Sequence, residues 1–254
     1  DYNVPINSLG EVVDDTRILA SIPTLNYLLK ESAIVIICSH LGRPNGNRVK
    51  SLSMETILPV LRSYLNNRNV KFTQDCYGDN VTDLISCMKR KELLMLENTR
   101  FWSGETNNES SMAKSLADLA DIFVNDAFGV AHRSHASTVG VARYLPSVAG
   151  LLLSKELQYL ERVVTNPEYP FVVILGGAKI LDKIVVVERL IEQADCVLVG
   201  GAMANTFMKA SGIEVSESLV ENGAIDIASQ LLARAGDKLI LPKDVIVADA
   251  MEVG

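Results

Sequence analysis

Arg17, Arg43, Arg100 and Arg133, together with His40, stand at or just beyond the ends of apolar runs, each in or beside a loop rich in Gly, Asn or Asp. Ala33–Cys38 leads into Ser39-His40-Leu41-Gly42-Arg43-Pro44. Leu93–Leu96 leads into Glu97-Asn98-Thr99-Arg100-Phe101, and Ile122–Val124 leads into the stretch from Asn125 to Arg133. A guanidinium is a planar fork of N–H donors that grips phosphate or carboxylate through paired charge-assisted hydrogen bonds. Several such forks on separate loops make a pocket for a small polyanion. Arg62, Arg68, Arg90 and Arg143 lack that loop context and read as surface residues with ion-pair partners. His40 taken alone could be a satisfied core histidine, and Pro44 and Gly46 read as turn formers. Asp1 and Asn3 flank a strand end beside Pro5; they either shape a turn or exchange hydrogen bonds with a hydroxylated ligand. His132 and His135 have i,i+3 spacing, but no third ligand cluster accompanies them and Arg133 between them repels a cation, so no metal site is expected there.

Loops of this kind need strands to hold them. The β-branched run Ala33–Cys38 predicts a central parallel strand, and in open α/β sheets ligands bind at the carboxyl ends of such strands. Apolar periodicity predicts strands near 34–38, 70–74, 93–96 and 122–125, and helices over about 51–66, 80–91, 109–120 and 136–144. A longer helical pattern runs from Ala149 to Val164 and stops at Asn166-Pro167-Glu168-Tyr169-Pro170, since proline cannot continue a helix. A second alternating series follows: strand 171–175, helix 181–193, strand 196–199, helix 202–210, helix 217–235, and strands 238–241 and 245–249. Such alternation predicts an α/β fold of two Rossmann-like parallel-sheet lobes joined by a helix, the second lobe incomplete. The expected boundaries are 1–148, 149–166 for the connecting helix, and 167–254. Asp1-Tyr2-Asn3-Val4-Pro5 reads as the tail of a strand and the last strand has no closing element, so a piece of a longer chain is expected.

The second series carries its own chemistry. Phe171–Leu175 runs into Gly176-Gly177-Ala178-Lys179, and Cys196–Val199 runs into Gly200-Gly201-Ala202. Glycine lets backbone N–H groups approach a phosphate, and a helix N-terminus adds positive partial charge. Neither segment is a GxxxxGK[ST] loop or a GxGxxG turn. Tight strand-to-helix packing alone could account for one Gly-Gly pair. Two such pairs, with Lys179 and Lys183, point to phosphate. If both lysines were helical they would share a face, mildly unfavourable unless an anion lay between them.

Composition narrows the partners. The chain has 254 residues and is 48% hydrophobic, enough for a sizeable core. Residues 1–150 hold 15 Lys and Arg against 16 Asp and Glu; the remainder holds 9 against 15, and the overall charge is −7. No basic block suggests nucleic acid. Cys38, Cys76, Cys87 and Cys196 show no CxxC spacing and sit among apolar neighbours, so free, buried thiols in a reducing compartment are expected. With no apolar stretch of about 18 residues and no signal peptide, a cytoplasmic protein is expected.

In this order the segments resemble phosphoglycerate kinases. Asp1–Pro5 resembles the family's DFNVP and Asp15-Thr16-Arg17-Ile18 its xxRI segment; Ser39–Pro44 is its SHLGRP; Leu96–Phe101 matches LENxRF. Asn125–His135 resembles NDAFGxAHRxH, Leu175–Ile184 resembles LGGAKxxDKI, and Gly200–Phe207 resembles GGxMAxTF. Tyr2 replaces the usual Phe, and Ala202 stands where Gly is common. The resemblance implies reversible phosphoryl transfer from 1,3-bisphosphoglycerate to ADP, giving 3-phosphoglycerate and ATP with Mg2+, by a cytoplasmic monomer whose lobes close about the connecting helix. It implies triose contacts at Asp1, Asn3, Arg17, His40, Arg43, Arg100 and Arg133. Nucleotide contacts would lie at Gly176, Gly177, Ala178, Lys183, Gly200 and Gly201, with Arg17 and Lys179 catalytic. The family's GPxGVFE and GGGDS/T segments, the latter serving Mg-nucleotide, would lie beyond Gly254, so a poorly active chain is expected. A non-catalytic module that binds a phosphorylated metabolite is the rival reading, against which Lys179 speaks; the lack of a P-loop or GxGxxG argues against another nucleotide-binding α/β enzyme.

Overall fold

A computed structural model describes every residue except Asn67, Asn166, Val247 and residues 249–254. The chain divides into two compact units, Asp1–Tyr159 and Leu160 onward. In the first, the order is α1 (Thr16–Lys30), β1 (Val35–Ile37), α2 (Leu58–Tyr64), β2 (Val70–Phe72), α3 (Asp79–Ser86), β3 (Leu93–Met95), α4 (Ser103–Thr106), α5 (Ser110–Ala117), β4 (Phe123–Asn125), α6 (Phe128–Ala131) and β5 (Ser147–Ala149). Helix α7 (Leu151–Thr165) crosses from the first unit into the second. The second continues with β6 (Val172–Leu175), α8 (Ile184–Gln193), β7 (Cys196–Val199), α9 (Gly201–Ala210), α10 (Ile225–Ala235) and β8 (Leu239–Ile240).

Every strand pairing in the named sheets is parallel, as the alternation of strands and helices requires. The sheets are β1-β3-β2 and β4-β5 in the first unit and β6-β7-β8 in the second. Alternate side chains of β1 and β3 feed two cores. Val35, Ile37, Leu93 and Met95 join the cluster that holds Ile18, Ile22, Leu25 and Leu29 of α1; Leu94 and Leu96 join Met112, Ala113 and Leu116 of α5. The second unit has a separate core around Val173, Val197, Val199, Phe207 and Leu231.

Several expectations are corrected. Among the described residues the first sheet runs β1-β3-β2, so β3, whose three residues are all buried, lies between β1 and β2, and residues of β1 and β4 line a cavity of about 670 Å³. The helix expected over 51–66 becomes two 3-10 turns (Lys50–Leu52 and Met54–Ile57) and then α2. Pro59 explains the break: it has no N–H for a continuous helix and sits instead in α2's first turn. The expected 136–144 helix is a wide π turn over Ala136–Gly140 followed by a 3-10 turn. The helix expected from 217 starts at Ile225, after the breaker Asn222-Gly223. Strand 245–249 falls partly outside the described residues, and Val245 and Ile246 are not strand. Helix α1 forms despite Pro23 because its buried stripe anchors it to the core. All four cysteines are free, but only Cys76 is buried; Cys38 and Cys87 are exposed, and Cys38 lines the cavity.

Candidate functional site

The first unit gathers its cations at the carboxyl ends of its strands. The loop after β1 is pinned from three directions. Asn3 Oδ1 accepts the Gly42 N–H at 2.8 Å, and the Tyr2 N–H donates to Ser39 Oγ at 2.8 Å. The third anchor comes from the end of β3, where Asn98, wholly buried, donates from Nδ2 to Leu41 O (2.7 Å) and Leu52 O (2.8 Å). Its Oδ1 accepts the Arg100 N–H at 3.1 Å. The neighbouring Glu97 carboxylate, also buried, accepts Ser53 Oγ, the Met54 N–H and the Asn98 N–H at 2.7–2.8 Å. Gly42 itself has φ +64°, and a Cβ there would lie 2.8 Å from Leu52 Cδ2, so glycine is favoured.

This scaffold sets Arg100 deep in the site. Its Nη1 donates to Gly42 O at 3.0 Å, while its Nε is buried with no partner. Burial holds the guanidinium below its ordinary pKa, the charges of Arg133 and Arg43 push the same way, and Glu105 opposes them. Arg43, Arg100 and Arg133 therefore converge. Asp1 pairs with Arg17 of α1 and lies 3.6 Å from His40 Nδ1. Gly129 in α6 packs against that pair: a Cβ there would be 3.3 Å from Asp1 Oδ2 and 3.7 Å from Arg17 Nη1. All seven residues expected to contact a triose thus belong to one unit and to linked loops. Such a cluster of cations, with an unpartnered buried N–H on Arg100, has the charge and the open donor to meet an anion with more than one charged group.

His40 is pushed down to about 3, first by burial and then by the positive charge of Arg100. The folded protein holds it neutral, whereas the unfolded chain takes a proton near pH 6.5. Between those values the unfolded state binds more protons, so stability rises with pH and is lost progressively as pH falls from about 6.5 toward about 3. The urea midpoint is expected to drop between pH 7 and 5, and His40→Gln to flatten that drop; an equal slope in the variant would refute the assignment.

In the second unit the two Gly-Gly turns are stitched together. Gly200 N donates to Leu175 O at 2.8 Å and Met203 N to Gly177 O at 2.7 Å. Gly177 has φ +133° and Gly201 φ +65°; a Cβ on Gly201 would sit 3.3 Å from Gly177 N. Gly200 precedes α9 and offers no side-chain cap, which leaves the helix N-terminus to be met by another group. Lys183 Nζ lies 3.2 Å from where a Gly177 Cβ would be, so an ammonium covers the turn. Ala178 and Lys179 follow in an exposed loop, with Lys179 Nζ 3.9 Å from Asp182 Oδ2. Lys179 is not helical and Lys183 ends a 3-10 turn, so the two do not share a helix face. Sequence reasoning passed over Glu221, whose carboxylate accepts the Ile180 N–H at 2.5 Å and fixes the turn after Lys179. It also passed over Glu105; neither acid has a motif that separates it from ordinary surface carboxylates. Among the described residues no group of three or more His, Cys, Asp and Glu could hold a metal ion, and no helix is long and apolar enough to cross a membrane.

The family model for phosphoglycerate kinase matches residues 1–254. The chain belongs to the phosphoglycerate kinase family. Among curated members, phosphoglycerate kinase of Thermosipho africanus is 48% identical over 259 residues, covering 100% of this chain and 63% of the relative. That of Chloroflexus aurantiacus is 48% identical over 254 residues, covering 98% and 64%. The solved phosphoglycerate kinase of Coxiella burnetii superposes with a TM-score of 0.84 at 40% identity, over 99% of this chain and 64% of that one. That of Pyrococcus horikoshii gives 0.79 at 32% identity, over 95% and 63%. The chain thus spans under two thirds of the length of these phosphoglycerate kinases and shares their two-lobe α/β fold.

Proposed function

We propose that this chain carries the triose-binding half and part of the nucleotide-binding half of a phosphoglycerate kinase. The observation that carries the reading is the convergence of Arg43, Arg100 and Arg133 with His40 at strand ends, one buried guanidinium N–H being unpartnered. The substrate is 3-phosphoglycerate or its 1-phosphorylated form. Arg43, Arg100 and Arg133 take the 3-phosphate and carboxylate, and Asp1 and Asn3 take the hydroxyl. In the reverse direction a carboxylate oxygen of 3-phosphoglycerate attacks the γ-phosphorus of ATP. The bond from that phosphorus to the β-bridging oxygen breaks, and its electron pair leaves with ADP. Such a transfer needs alignment and charge neutralisation more than covalent help, which assigns Arg17 and Lys179 to the equatorial oxygens.

Gly176, Gly177, Gly200 and Gly201 would let backbone N–H groups approach a nucleotide phosphate, with Lys183 and Ala178 beside them. Mg2+ would arrive on the nucleotide phosphates and draw off their charge when bound. We assign the domains to residues 1–148 and 167–254 with 149–166 between them, and the setting to a cytoplasmic monomer acting on small molecules, with no nucleic-acid or membrane partner. Calorimetric titration of 3-phosphoglycerate into the chain, once circular dichroism shows it folded, tests the reading. Saturable binding, weakened about tenfold by Arg43→Ala, is expected; a folded chain that binds nothing overturns it.

A further inference from the structure

Segment 100–108 and segment 133–138 meet at three points, and the first of these is a buried carboxylate. Glu105 of α4 is 2% exposed. Its Oε2 accepts the Ser137 N–H at 3.0 Å and its Oε1 accepts Ser137 Oγ at 2.6 Å. The same Oε1 lies 3.6 Å from His135 Nδ1. Three residues on, Asn108 Nδ2 donates to Ser134 Oγ at 3.0 Å. The grip is relayed to Arg133 through the next residue in the turn: Thr138 Oγ1 donates to Arg133 O at 2.7 Å and accepts the His135 N–H at 3.1 Å. A wide π turn starting at Ala136 allows Ser137 and Thr138 to face these partners together. Gly140 closes it, since a Cβ there would be 2.5 Å from Asn108 Oδ1.

Charge points the same way. Among the described groups that shift Arg100, Glu105 is negative, whereas Arg133 and Arg43 are positive. Arg100 and His135 therefore share one fixed carboxylate, and Arg133 acts on both of them.

We propose that Glu105 is the positioning residue of the anion pocket: through Ser137 and Thr138 it fixes the loop that presents Arg133 to the ligand. The inference rests on the assignment of this pocket to 3-phosphoglycerate. It makes a prediction opposite to simple electrostatics. Removing an acid beside an anion site should tighten binding if the acid only contributes charge. If it holds Arg133 in place, removing it weakens binding.

The test is a double-mutant cycle of Glu105→Gln with Arg133→Ala, read by calorimetric titration of 3-phosphoglycerate and by NMR titration of the His135 ring without ligand. Glu105→Gln is expected to weaken binding about tenfold in the parent and less than about twofold in the Arg133→Ala background. The His135 ring faces Glu105, Arg100, Arg133 and His40. Glu105 is the group that favours its charged form, so its titration is expected to move to lower pH in Glu105→Gln. Tighter binding, or an equal loss in both backgrounds, overturns the inference, because a merely structural residue would act whether or not Arg133 is present. If the unmodified chain binds no 3-phosphoglycerate, the functional reading fails, and an unmoved His135 titration then separately overturns the Glu105 inference. Should Glu105→Gln not fold, Ser137→Ala removes only the 2.6 Å bond and is expected to weaken binding about threefold, again only with Arg133 present.

Discussion

Asn98→Asp is expected to cost the first unit about 3–5 kcal/mol, a loss comparable with a domain's whole margin of stability. The change replaces one NH2 group by an oxygen, but that NH2 is the donor to two carbonyls, the buried Leu41 O and the part-buried Leu52 O. Asn98 is 0% exposed, so no water replaces it. Each orphaned buried carbonyl costs about 1–3 kcal/mol. An ionised carboxylate facing them is worse still, so the introduced group takes a proton and its pKa rises. The folded state then binds more protons than the unfolded one, and the variant loses stability as pH rises. Urea unfolding at pH 5 and pH 8 checks this: Asn98→Asp is expected to be closer to the parent at pH 5. An unfolding midpoint within error of the parent at pH 8 would mean that Asn98 does not tie the three loops together. Asn98→Ala leaves the same carbonyls unpaired without the charge, and its smaller loss is expected to be independent of pH.

The contrast between Asn98 and Arg100 shows what the sequence makes legible. Both stand in one short loop after β3. Arg100 stands out as a candidate binding residue because a cation at a strand end has few other uses. Asn98 is not readable as the loop's keystone, because its partners Leu41 and Leu52 lie 57 and 46 residues away and nothing local marks them. The strands were legible for the same reason as Arg100: β-branched runs have few alternatives, and β7 forms over Cys196–Val199 as the pattern predicts. Helix limits were less so. Periodicity continues through Pro59 and Asn222-Gly223, whereas the backbone cannot, so α2 and α10 begin later than the apolar pattern does. Glu105 and Glu221 were missed because burial and long-range partners, not residue type, distinguish them from solvated acids.

Arg100→Ala is expected to weaken 3-phosphoglycerate binding by about 10²–10³-fold, against about tenfold for Arg43→Ala, while changing stability by no more than about 1 kcal/mol. The difference follows from where the charges sit. Arg43 is exposed, and salt screens it. Arg100 is 8% exposed; one arm already holds Gly42 O, and its buried Nε has no partner until a ligand oxygen supplies one. The empty protein has met the desolvation of that guanidinium in advance, so its whole electrostatic value appears when the anion binds. Removing the side chain relieves that unfavourable burial and opens a gap while freeing one carbonyl, effects that offset each other in the unliganded fold. Arg100→Lys is not expected to restore binding, because one ammonium cannot hold Gly42 O and present a planar fork to the ligand at once. Calorimetry at low salt and at about 0.5 M salt separates the two arginines. The Arg43→Ala deficit is expected to shrink with salt and the Arg100→Ala deficit to persist. Equal deficits that fade together would place Arg100 in solvent and remove the deep anion contact on which the pocket depends.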